Sequence, residues 1–160
     1  MWEAAVIEQQ EAGQDPVLTR IGQAVMLLHG GDREEARNRF GALWSEIGER
    51  GEALHRCTLA HYMADTQDDP GDELAWDLRA LAAAEGEVRG DRQQSLRALR
   101  ALFPSLHLNL ASDYVKLQHL DAARAHLDRA RESARHLKDD GYGHRMRTAV
   151  ARLERSLGEV

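Results

Sequence analysis

The chain has 160 residues, a length that predicts one domain. Hydrophobic residues make up 42% and charged residues 30%, which excludes a disordered chain and a membrane-spanning one. A formal charge of −6 argues against nonspecific nucleic-acid binding, which needs clustered cations, and the lone Cys57 excludes an internal disulfide and a cysteine-built zinc site.

Alanine and leucine dominate, and apolar residues recur three and four apart, so nearly every segment reads as helix. The spacing predicts a short helix over residues 2–11. A second spans 16–29, with Asp15 as its cap and Pro16 at the first helical position, where a missing N–H costs nothing. After the tight turn Gly30-Gly31 a third covers 32–48, and a fourth covers 52–66. The run Asp68-Asp69-Pro70-Gly71-Asp72 reads as a turn whose last Asp caps a helix over 72–85. Asp91 with Gln94 forms a capping box for a helix over 91–102, and Pro104 opens a separate one over 104–118. Helices over 120–138 and 141–157 follow, the last after the stop signal Asp140-Gly141. Short connections imply antiparallel neighbours.

Self-similarity organises these helices. Leu110-Ala111, Tyr114, a turn at 118–120, then Ala123, Leu127 and Ala130 place large, small and aromatic residues at set intervals on two helices. That pattern resembles the tetratricopeptide repeat, a helix–turn–helix unit of about 34 residues. His107 and Arg135 stand where the family usually has Trp or Leu and Pro. A second match begins at Val17, with Ala24, Leu27, Gly31-Asp32, Ala36 and Phe40 at the corresponding places. A third, degenerate unit starts near Ala53 with Ala60 and Met63, and its Ala75 and Ala82 align only after a longer turn. The resemblance implies an all-α, solenoid-like stack of antiparallel pairs in one domain over 1–160. Its units are 17–50, 53–89 and 104–137, with an extra helix 91–102 and a capping helix 141–157. The 19 Arg against two Lys read as a GC-rich coding bias, as in actinobacteria.

Candidate chemistry is sparse. The acidic run at 68–72 spells the pattern with which isoprenoid-diphosphate enzymes hold magnesium, but Pro70 and Gly71 make it a surface turn. Cys57 and His61 lie one helical turn apart, a spacing able to ligate a metal, with His107 as a conceivable third ligand. The plainer reading packs Cys57 as a small apolar residue. Phe40, Trp44, Tyr62, Trp76, Phe103 and Tyr114 fall at core-facing spacing. No catalytic residue, cofactor or metal is expected, and the chain does not read as an enzyme.

The resemblance further implies that the first helix of each pair lines a concave groove. Carried over residue by residue, that groove holds Ile21, Val25 and Leu28, then Leu54, Cys57, His61 and Asp65, then Leu108, Ser112, Val115 and Lys116. The cationic clamp of the chaperone-binding subtype is absent, since Ile21, Val25 and Leu54 occupy its places and Asn109 is the one remnant. The expected role is therefore noncatalytic, cytoplasmic recognition of a peptide or amphipathic segment of another protein. A self-associating homodimer is the alternative, and a small metal- or ligand-binding helical protein a further one. Neither nucleic acid nor a membrane is expected as partner.

Overall fold

The computed structural model describes residues 15–88 and 93–159, so the helix expected over 2–11 and the Asp91 cap lie outside the described residues. Seven α-helices make up the described chain, with no strand among them. They are α1 (Pro16–His29), α2 (Arg33–Ile47), α3 (Ala53–Asp65), α4 (Pro70–Val88), α5 (Gln93–Lys116), α6 (Leu120–Ala134) and α7 (Gly141–Gly158). A short 3-10 turn, Gly48–Arg50, follows α2. None is long and apolar enough to cross a membrane.

Local chemistry sets the starts. The Asp15 carboxylate accepts from the amides of Val17 and Leu18 at 3.0 and 3.1 Å, filling donors that α1 would leave open. At α4 the capping residue is Asp69, not the expected Asp72. Its Oδ1 accepts from the Gly71 and Asp72 amides at 2.8 and 3.1 Å, which lets Pro70 take the first helical position. Asp140 caps α7 through the Gly143 amide at 2.9 Å.

Two of the turns share one geometry. Between α1 and α2, the Gly31 amide reaches the Leu28 carbonyl, the Asp32 amide reaches Leu27, and Gly31 has φ 93°. Between α5 and α6, Gln118 donates to Val115, His119 donates to Tyr114, and Gln118 has φ 62°. Both are helix ends closed by a left-handed residue. The α3–α4 turn differs: Thr66 and Gln67 donate to Met63 and Ala64, and the chain runs on to Asp69 before turning helical.

The expected break at Pro104 does not occur. Residues 93–116 form one helix with Pro104 inside it, so the supposed extra helix is the first half of α5. Proline cannot bond the carbonyl four residues back, here that of Arg100 on the exposed side of the helix. On the other side Leu99, Leu102, Leu106 and Leu110 are all buried, and continuing the helix through the proline keeps them in one stripe. Tyr142 of α7 donates its hydroxyl to the Ala101 carbonyl at 2.8 Å, and Ser105 donates to that of Leu102 at 2.9 Å. Helix α6 also stops at Ala134, short of the expected residue 138.

Each helix packs on its chain neighbours, and the odd-numbered helices touch in series, α1 on α3, α3 on α5 and α5 on α7. The main core runs from α1 to Leu110, with Phe40 stacked on Tyr62 at 5.5 Å and Trp44 edge-on to Trp76 at 5.1 Å. A smaller cluster joins Ala111, Ala123, Leu127, Ala130, Val150 and Leu157. Ala24, Ala36, Ala60, Ala111, Ala123 and Ala130 are each wholly buried, and their small side chains let neighbouring helices approach.

A candidate functional site where three helices meet

Helix α3 is enclosed by its neighbours, with eleven of its thirteen residues buried. Five of the eleven expected groove residues share that fate. Ile21, Val25, Leu54 and Cys57 belong to the main core and offer no surface to a partner. They are corrected here from contact residues to supporting wall. The reason is geometric: α1 and α3 pack on each other as well as on their own pair partners, which seals the stripe between them. Leu28, Leu108, Ser112 and Val115 are partly exposed, and Asp65 and Lys116 are exposed. His61 is buried, and its environment is polar.

His61 opens onto a junction of α3, α4 and α5. The Asn109 amide lies 3.0 Å from its Nδ1, while Asp65 Oδ2 lies 3.6 Å from its Nε2 and Asp77 Oδ1 3.8 Å from its Nδ1. An amide N–H donating to Nδ1 leaves the ring proton on Nε2, facing Asp65. Helix α4 contributes Glu73 and Asp77, four residues apart on one face, and α5 contributes Asn109, Asp113 and Lys116 along one stripe. Glu73, Asp77 and Asp113 each present a carboxylate oxygen within 4.8 Å of the other two. Lys116 Nζ donates to both Glu73 oxygens, at 2.8 and 2.9 Å.

The electrostatics of this junction are unusual for a helical core. Asp77 is 4% exposed and Asp113 1% exposed, and neither Asp77 Oδ1 nor Asp113 Oδ2 has a hydrogen-bond partner. Burial pushes both carboxyls well above the usual carboxylate range. A hydrogen bond with Asp113 draws Asp77 part of the way back while the charges of Asp65 and Glu73 push it up, and contact with Asp77 and Glu73 raises Asp113 further. The junction reaches solvent through Asp65 and Lys116, whose side chains are 42% and 47% exposed.

Cys57, His61 and His107 do not assemble as ligands. Burial first, and then the Asp77 charge, pushes the Cys57 thiol up to about 12, which disfavours the thiolate, and Cys57 packs within the main apolar core. His107 instead faces His126, Nδ1 to Nδ1 at 3.1 Å, in a stack running Phe103, His107, His126, Tyr114. Burial and the neighbouring His126 and Arg129 hold His107 down at about 4, so the pair is neutral near pH 7. Only the start of the acidic run is the expected turn: Asp68 pairs with Arg33 and Arg37 of α2, Asp69 caps α4, and Pro70, Gly71 and Asp72 already belong to the first turn of α4.

Glu73, Asp77 and Asp113 were not singled out from the sequence. A signal was present, because Asp77 sits three and four residues from Leu74, Ala80 and Leu81, and Asp113 three from Leu110 and seven from Leu106. Charges in phase with an apolar stripe mark burial. No protein-family model matches the chain, and neither a curated protein nor a solved structure does.

Proposed function

We propose that this protein is a noncatalytic interaction module made of stacked helix pairs of tetratricopeptide type, holding a segment of another protein along its odd-numbered helices. The observation that carries the reading is the pairing of two congruent turns, at Gly31 and Gln118, with odd-numbered helices that touch in series. Stacked pairs whose first helices form a common layer have this arrangement. The wholly buried alanines at the repeat's small positions support it.

The contact residues under this reading are Leu28, Asp65, Leu108, Ser112, Val115 and Lys116. Leu28, Leu108 and Val115 are half-buried apolar side chains, and the exposed Asp65 carboxylate gives the face an acidic point. The chain as a whole carries a net charge of −6, and the proposed partner is an amphipathic segment carrying basic residues, met in the cytoplasm.

A paired Asp65→Lys, Ser112→Arg variant tests this. Both changes sit outside the fully buried core, so the circular dichroism spectrum and melting temperature should stay near wild type. Capture of the partner recovered by the wild-type chain should fall at least tenfold. Unchanged capture would remove the groove. Sedimentation velocity over a range of concentrations addresses self-association, and a tight dimer insensitive to this double change would also contradict the reading.

A further inference from the structure

We infer that Glu73, Asp77 and Asp113 form a binding site for a hard divalent cation of the magnesium, manganese or calcium class. Three carboxylates from two helices converge on one point, with an oxygen of each within 4.8 Å of the others. Oxygens on opposite sides of a magnesium or calcium ion lie roughly 4.0 to 5.2 Å apart, twice the usual metal–oxygen distance. Carboxylate oxygens gathered within that limit can serve as ligands of one such ion.

Convergence of acids alone would not suffice, and the second observation is the state of two of the oxygens. Asp77 Oδ1 and Asp113 Oδ2 are buried, on side chains turned into the junction, and no amide, amine or hydroxyl donor reaches them, the carboxyls having only one another as hydrogen-bond partners. A buried acceptor without a donor is costly, and a native core holds few of them. A cation lying among the three side chains gives both oxygens a partner.

The donor set selects the class of ion. All three donors are carboxylate oxygens, which suit magnesium, calcium and manganese. The His61 Nδ1 already accepts from Asn109, and Cys57 packs in the main apolar core outside the converging group, so the cluster presents oxygen donors alone. Glu73 is 19% exposed and forms the doorway, where the Lys116 ammonium now rests on it. Lys116 is half in solvent and can swing outward, so it competes with the ion for Glu73 instead of blocking the route.

The full chain, stripped with chelator, is titrated with Mn²⁺ and the free ion followed by electron paramagnetic resonance. Ca²⁺ and Mg²⁺ then serve as competitors. The expected result is saturable binding of about one ion per chain. Asp113→Asn and Asp77→Asn should each weaken it at least tenfold, while Glu132→Gln on exposed α6 leaves it unchanged. Lys116→Ala should tighten binding several-fold, since it removes the competing ammonium, and this surface change does not endanger the fold. Absence of saturable binding at millimolar Mn²⁺ would overturn the assignment. So would binding that survives Asp113→Asn, or that Lys116→Ala leaves unaltered.

Discussion

At the scale of single residues, carboxylates play two opposite parts in this protein. Asp15 is kept ionised. Burial raises its pKa, but the 2.7 Å contact with His55 and the amides of Leu18 and Val17 outweigh that and hold it below the usual range. A depressed carboxyl stabilises the fold above the unfolded value of 3.8 and loses that contribution as pH falls through its folded value. Asp15→Ala should therefore cost about 1 kcal/mol at neutral pH in urea denaturation, and the deficit should shrink below about pH 4. Asp77 and Asp113 are the reverse case, with folded values above the unfolded 3.8. The unfolded chain then gives up protons first, so their contribution is present below about pH 4 and is lost as pH rises toward and beyond neutral. In chelator, Asp113→Asn should raise stability at about pH 7.5 by at least about 1 kcal/mol, or 2–4 °C in melting temperature, with little gain near pH 4. A fall in melting temperature at the higher pH would contradict this account of the junction. The cap at Asp15 was legible because it rests on residue type and local order alone. The two buried aspartates were not, because a lone sequence shows a carboxylate as solvent-facing until the neighbouring helix is placed against it.

At the scale of elements, two turns share one geometry, at Gly31 and Gln118, and α5 runs unbroken where a boundary is expected. Gly31 adopts positive φ freely, whereas Gln118 occupies the same place in its turn with a side chain that resists it. Gln118→Gly should therefore be neutral or stabilising, by up to about 1 kcal/mol, as measured by the urea midpoint at constant slope. A clear loss would mean that the two turns are not equivalent. The continuity of α5 through Pro104 was invisible to local rules, since proline and the residue before it both argue for a boundary. What overrides them is tertiary: the leucine stripe on both sides of Pro104 is buried against its neighbours, and Tyr142 reaches across from α7 to the Ala101 carbonyl. Tyr142→Phe should cost about 0.5–1.5 kcal/mol, the ordinary worth of one such bond, read by the same denaturation.

At the scale of the whole molecule, the sequence reading reached the all-helical architecture and most helix boundaries. Periodicity and capping are local, and they survive the absence of every other contact. It did not reach which groove residues stay accessible. Ile21, Val25, Leu54 and Cys57 are apolar at first-helix positions, and only the packing of α1 on α3 shows that this stripe is sealed. Under the proposed reading, partner contact would fall near Asp65, Ser112 and Lys116, beside the carboxylate junction. The most direct measurement of the central claim is site-specific photo-crosslinking in cells, with the reactive group at Ser112 on α5 or at exposed Arg129 on α6. Adducts with another protein from position 112, and none from position 129, are the predicted result. Equal labelling from both positions, or adducts only with a second copy of this chain, would contradict recognition along the odd-numbered helices.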